Sequence, residues 1–182
     1  MTVRIPPLDD DEVSDIQREL MTPFKQDGRI DNVFRTIARH PDLMKRWLPF
    51  VRHILFKSTL SPREREILIL RIGWLCRSEY EWAQHVRGGK RAGLDDREIA
   101  CVMAGSGLSA REDLLVRAAS ELHAKARVSE VTWRALSQHY AQAQMMDIVF
   151  TVGQYAMISM ALNSFGVEVD AYLAGYPPLP DA

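Results

Sequence analysis

Glu81 and His85 stand four residues apart in the run EYEWAQHV, a spacing that puts both side chains on one face of a helix, with Ser78 one turn earlier and Trp82 beside them. A carboxylate beside an imidazole sets the tautomer and basicity of the ring, so such a pair can give or take a proton near neutral pH. Upstream, Glu66, Ile69, Leu70, Gly73 and Arg77 make a second stripe, because their span is close to a whole number of helical turns. If the two helices pack against each other in opposite directions, Glu66 reaches His85 and Arg77 is left to hold an anion. Gly88, Gly89 and Ala92 continue the first stripe and predict the close approach of another backbone. Together these residues read as an acid/base site spread over two neighbouring helices.

Each of them also has a purely structural reading. Ser78 with Glu81 has the form of a capping box, a device the chain repeats at Ser61 with Glu64 and Ser109 with Glu112, and in a variant at Asp95 with Glu98. Glu66 on a half-apolar stripe reads equally well as the ion-pair partner of Arg63 or Arg71. His40, His53, His123 and His139 are not at metal-ligand spacing with another His or Cys, so no metal is expected. The eight methionines read as core or interface filler rather than as part of a cofactor site.

The elements that must position these side chains are helices. Punctuation by Pro, Gly and caps divides the chain into short helical patterns, and no stretch alternates like a half-buried strand, which predicts an all-α fold. Asp31 caps a pattern carrying Val33, Phe34, Ile37 and Ala38 that stops where His40 meets Pro41. The next pattern carries Leu43, Met44, Trp47, Leu48, Val51, Ile54 and Leu55, with Pro49 set to bend it. Gly93 reads as the stop of the helix opened at Ser78, and the stretch from Gly105 to Gly107 as a loop. A last long pattern runs from about Gln142 to Val169, followed by an irregular tail from Gly175 to Pro180. Within it, Ile148 to Val167 carries no charge and has the length of a membrane span. Thr151, Gly153, Gln154, Ser159, Asn163 and Ser164 make it too polar for one, so it reads as a helix buried in the core or against another subunit.

The 182 residues include 23 Lys+Arg and 24 Asp+Glu, for a formal charge of −1, with 47% apolar and 26% charged residues. This predicts one globular domain over 1–182, with an arm and first helix in 1–28, a motif-bearing core in 60–145 and an irregular tail in 171–182. A balance near zero argues against binding nucleic acid by phosphate neutralisation. LSPREREIL imitates the opening of a helix-turn-helix, yet the following EYEWAQHV lacks the basic and amide residues of a recognition helix. Two cysteines, Cys76 and Cys101, make no disulfide framework and fit a reducing, cytoplasmic setting, as does an acidic, proline-bearing N-terminus unlike a signal peptide.

The segment SPREREILILRIGWLCRSEYEWAQHVRGGKRAGL, Ser61 to Leu94, resembles the carboxymuconolactone decarboxylase family, which includes the alkylhydroperoxidase D-like proteins. RIPPLDD, NVFRTIARHPDLMKRWLPF and DIVFTVGQYAMISMALNSFGVEVD extend the likeness over most of the chain, toward a cofactor-free subgroup. The thiol-peroxidase branch carries a Glu and, further on, Cys-x-x-Cys-x-x-x-His. Counted back from His85, its cysteines fall on Ser78 and Glu81, its relay residue on Tyr80 and its Glu on Glu66. The acid/base frame matches and the redox pair is gone, so dithiol peroxidase activity is not expected.

The resemblance implies an alkylhydroperoxidase D-like helical bundle and a decarboxylase-like enzyme without cofactor, acting on a small carboxylated lactone or an enolisable acid. In it, His85 supplies the proton, Glu66 orients it, Tyr80 or Glu81 is a second donor, and Arg77 anchors a substrate carboxylate, with Ser78, Trp47, Phe34, Trp82 and Tyr155 shaping the pocket. It also implies a homo-oligomer, trimers and hexamers being common and a dimer admissible, with the uncharged late helix as the interface. A non-catalytic helical oligomer that binds a small ligand is the alternative.

Overall fold

Ile67, Leu68, Ile69, Leu70 and Ile72 leave no polar face in the middle of their helix, and a helix apolar all round is stable only in an interior. In the computed structural model, which describes residues 2–174, all five are fully buried and form the centre of α4 (Pro62–Leu75). Burying each contributes about 1.5–3 kcal/mol. Around it pack α5 (Glu79–Arg91), α6 (Asp96–Ala104), α7 (Ala110–Lys125) and α9 (Gln142–Phe165), while α8 (Glu130–Leu136) lies on α7. Before them come α1 (Asp15–Met21), α2 (Asn32–Ile37) and α3 (Pro41–Phe56), with α3 resting on α9. The buried apolar side chains from α1 to α9 form one continuous cluster, so the fold is an all-α single domain. Among the described residues the only β-type pairing is an isolated bridge between Gln26 and Arg29.

Helix starts follow the sequence closely. Reciprocal capping boxes form at Ser61–Glu64, Asp95–Glu98 and Ser109–Glu112, and a further one at Ser14–Gln17 opens α1. The box expected at Ser78–Glu81 is only half made. The Glu81 amide donates to Ser78 Oγ at 3.5 Å, but the Glu81 carboxylate does not return to the cap and turns toward His85 instead. Gly105 closes α6 and Gly166 closes α9, both in the left-handed region. The last long helix therefore stops at Phe165, short of the Val169 expected, because Gly166 adopts φ 71°. Ala171–Leu173 form a 3-10 turn within the segment expected to be irregular, and Gly175 to Pro180 lie outside the described residues.

Helix α9 is long and apolar enough to cross a membrane by length and composition, but 56% of its most apolar window is buried inside the protein. Its inner side holds Ile148, Val152, Tyr155, Ile158 and Leu162 in the core. Its outer side leaves Met146, Phe150, Gly153, Met157 and Met160 exposed, at alternating steps of four and three residues.

Candidate acid/base site

Helices α4 and α5 are joined by a turn so short that they must fold back on one another. Helix α4 ends at Leu75 with Cys76 as its cap, and Arg77 takes the left-handed conformation at φ 50°. The amide of Ser78 then donates to the Gly73 carbonyl at 3.0 Å and that of Arg77 to Trp74 at 3.0 Å, the paired bonds of a Schellman turn. Ser78 immediately caps α5. This turn brings Glu66 of α4 against His85 of α5.

His85 Nδ1 lies 2.7 Å from Glu66 Oε2, and Nε2 lies 3.4 Å from Glu81 Oε2. The imidazole is thus held between two buried carboxylates, with only 14% of its side chain accessible. Burial by itself lowers the pKa of His85, but the charge and hydrogen bond of Glu66, followed by those of Glu81, outweigh it and raise the ring to about 9. At neutral pH the ring is an imidazolium. Its Nδ1–H is committed to Glu66 by a short charge-assisted bond, which leaves the looser Nε2–H as the transferable proton. Arg65 Nη2 stands 3.8 Å from Glu66 Oε1, so two carboxylates face two cations and the cluster is formally neutral.

Gly88 makes this contact sterically allowed. A Cβ there would fall 2.8 Å from Glu66 Oε2 and 3.1 Å from Glu66 Cδ, inside the space the carboxylate occupies. The small-residue stripe therefore admits a side chain rather than the backbone the sequence suggested. Gly89 likewise faces the Leu70 and Leu94 side chains.

Above His85 opens a cavity of about 240 Å³ whose lining includes Glu66, Glu81, Tyr80 and His85, with Phe34, Trp47 and Tyr155 in its walls. The Tyr155 ring meets the imidazole edge-on at a centroid distance of 4.8 Å. Trp47 Nε1 donates to Gln154 Oε1 at 3.3 Å, which fixes the indole as a wall. Phe34 stacks on Phe24, 4.3 Å between centroids. Tyr80 lines the cavity, but its hydroxyl donates to Asp170 at 2.6 Å while accepting from the Val33 amide at 3.1 Å. Burial, then the Asp170 charge, push the Tyr80 phenol well above its usual range, so it holds its proton.

Three expected site residues lie elsewhere. Arg77 is exposed on the interhelical turn and does not line the cavity, because α4 stops before the register that would have carried it there. Ser78 is fully buried as the α5 cap. Trp82, 2% exposed, packs on Trp74 at 5.5 Å between ring centroids, on the core side of α5. Glu66 pairs with neither Arg63, which binds Glu98 and Glu112, nor Arg71, which binds Ser120 and the carbonyls of Val102 and Met103. Unforeseen wall residues are Phe24, Gln154, Arg87 and Arg91. The two arginines follow His85 on α5 at two and six positions, a signal the helical pattern did contain.

A larger surface groove of about 460 Å³ lies between α1 and α3, where Lys45, Arg52, His53 and Lys57 face solvent. Its one strong polar contact is structural. Buried Asp147 takes hydrogen bonds from the Thr59 amide at 2.6 Å and the Thr59 hydroxyl at 2.7 Å, with His53 Nε2 at 3.0 Å. Among the described residues no group of three His, Cys, Asp or Glu side chains could hold a metal ion.

The model of the carboxymuconolactone decarboxylase family matches residues 41–123, from the start of α3 into α7, a span that includes Glu66, Glu81 and His85. Over that span the chain is similar to this family. The fold is alkylhydroperoxidase D-like. A peroxidase-related protein from Silicibacter sp. TM1040 superposes with a TM-score of 0.80 at 18% identity, over 94% of this chain and 95% of that one. An alkylhydroperoxidase AhpD core, peroxidase-related protein from Ralstonia eutropha JMP134 gives 0.80 at 19% identity, over 93% of each. A variant of the debrominase Bmp8 in complex with 2,3,4-tribromopyrrole gives 0.70 at 12% identity, over 96% of this chain and 95% of that one. No protein of curated function matches the sequence. Neither Cys76 nor Cys101 lines the cavity. Cys76 lies 3.9 Å from His123 at the end of α4, and burial pushes its thiol up, away from thiolate.

Proposed function

We propose that the cavity is the active site of a cofactor-independent proton-transfer enzyme, a decarboxylase or a close relative, acting on a small carboxylated lactone or an enolisable acid. The observation that carries this reading is the imidazole of His85, held between Glu66 and Glu81 at the floor of a cavity with aromatic walls. Loss of carbon dioxide breaks the bond to the carboxylate carbon and leaves its electron pair as an enolate on the neighbouring carbonyl. His85 Nε2–H then gives its proton to the carbon that lost the carboxylate. Glu66 keeps the ring aligned throughout, and the neutral imidazole is recharged from water. With a pKa of about 9 the ring is nearly all acid at neutral pH, which suits donation to a carbanion better than abstraction.

The small-molecule partner is fixed to no particular compound by the cavity. The debrominase Bmp8 variant, whose structure is a complex with 2,3,4-tribromopyrrole, supports this fold as one that can bind a small ring compound. The exposed stripe of α9, with its alternating steps of three and four, supports a second copy of the chain as its cover, since that spacing is the seam two like helices share. Sedimentation of wild type and Met157→Glu tests this contact, and a monomeric wild type would exclude it.

Purified protein should be screened against lactone acids and ketoacids, with carbon dioxide release and solvent-deuterium incorporation followed together. His85→Gln should cut turnover by about 10²-fold to 10⁴-fold, the usual worth of a general acid. Undiminished turnover in that variant would remove His85 from the chemistry. Binding without turnover of any acid would instead favour a ligand-binding, non-catalytic member of the fold.

A further inference from the structure

We infer that Arg87 and Arg91, not Arg77, form the anion anchor of this site, and that its ligand is an amphiphilic carboxylate bound with the acid group at the cavity mouth and the reacting end at His85. The inference rests on the proton-donor reading of His85 for what happens at the deep end, but the anchor itself is argued from geometry and charge.

Arg87 and Arg91 are one turn apart on α5 and both line the cavity. Neither has a carboxylate partner among the described residues. The one contact of Arg87 is with a ring, its guanidinium standing 5.0 Å from the centre of Tyr172. Asp31, which also lines the cavity, accepts instead from the Tyr172 hydroxyl at 2.9 Å. Arg35, Arg39, Arg63 and Arg111, by contrast, each hold a carboxylate. Two like charges at this spacing oppose each other unless something anionic lies between them.

The depth of the cavity has the opposite character. Glu66 and Glu81 already surround His85, and a substrate carboxylate pressed against that floor would meet Glu81 Oε2 at the nitrogen it seeks. Between floor and mouth the wall is apolar, made by Phe34, Trp47, Leu55 and Phe56. Along the helix axis the Cα of Arg91 is roughly 9 Å beyond that of His85, at about 1.5 Å per residue. A ligand that satisfies all three zones has a carboxylate, an apolar or aromatic body, and an uncharged or leaving group at the far end. A carboxylate gripped by guanidinium groups is stabilised as an anion, so the acid group at the mouth is the one the molecule keeps. A decarboxylated substrate of this site is therefore a diacid or its lactone, whose deep carboxylate is destabilised as an anion beside Glu81 and leaves as carbon dioxide.

The test uses 4-phenylbutyrate and its neutral twin 4-phenylbutanamide as probes, with dissociation constants from amide-proton shifts of the intact protein. Wild type should bind the acid about 10-fold to 100-fold more tightly than the amide, the worth of charge-assisted hydrogen bonds. Arg87→Gln with Arg91→Gln should abolish that preference while leaving amide affinity unchanged, and Arg77→Gln should keep it. Acetate, which has no apolar body, should bind more than 10-fold more weakly than the phenyl acid. Equal affinity for acid and amide in wild type, an acid preference surviving in the double variant, or no binding of either probe would each overturn the anchor. His85→Gln separates the two readings. It should keep the acid preference and lose turnover, so a lost preference with intact His85 dependence sinks only the anchor, and the converse sinks only the proton donor.

Discussion

Gly88→Ala isolates the contact on which the chemistry depends. The new methyl would stand 2.8 Å from Glu66 Oε2, so the carboxylate, being the free end of a flexible side chain, gives way rather than the backbone. A swing that carries Oε2 from 2.7 Å to about 4 Å from Nδ1 weakens the charge attraction from ~6 to ~4 kcal/mol at an effective dielectric of about 20. A loss of about 2 kcal/mol corresponds to a His85 pKa lower by roughly 1.5 units. Overall stability should hardly fall, because alanine in a helix interior gains about 1 kcal/mol over glycine and offsets part of the lost pair. The assay is a pH titration of the His85 ring nitrogens by long-range nitrogen–proton correlation, with unfolding by denaturant alongside. A ring that still titrates near pH 9 in the alanine variant would refute the reasoning, since Glu66 would then not be holding it through the space Gly88 leaves open.

The raised His85 pKa also links stability to pH. Its folded value of about 9 lies above the ordinary 6.5, so its contribution is fully present below pH 6.5 and is lost as pH rises through 9, a difference of about 3 kcal/mol. Denaturant midpoints of wild type should therefore fall between pH 6.5 and 10 more steeply than those of His85→Gln, and parallel profiles would contradict the shift. Arg77→Gly relieves a left-handed residue that touches no ligand, and should raise the melting temperature by up to about 4 °C without altering substrate turnover. A simultaneous Cys76→Ser and Cys101→Ser change should leave turnover intact, because neither thiol lines the cavity, and loss of activity in that protein would return a thiol to the mechanism. Asp147→Asn should destabilise by about 2–4 kcal/mol through the Thr59 and His53 bonds it weakens, read as a lower denaturant midpoint.

The pairing of Glu66 with His85 was legible in the sequence because it depends on two local facts, a helical period on each segment and a short turn between them. Arg77 misled for a related reason. Its place on the Glu66 stripe assumed that α4 runs through position 77, and no glycine marks the left-handed turn that ends the helix at Leu75. Glu81 was half legible, since Ser-x-x-Glu reads as a capping box wherever it occurs, and only a neighbouring imidazole decides which way the carboxylate points. Phe24, Gln154 and Asp170 were beyond reach altogether. They arrive at the cavity or its wall from segments far apart along the chain, and no periodicity within one segment encodes such a meeting.

Asp170 carries a wider consequence. It accepts from the Tyr80 hydroxyl and from the Asn32 amide, and the following turn sends the Tyr172 hydroxyl to Asp31. The stretch after α9 is thereby stitched to two sides of the hollow, like a clasp over a seam. Shortening the chain ahead of residue 170 would unfasten the wall formed by α2 and α5, so protein engineers who trim this end for convenience should expect a leaking chamber before they see an unfolded molecule.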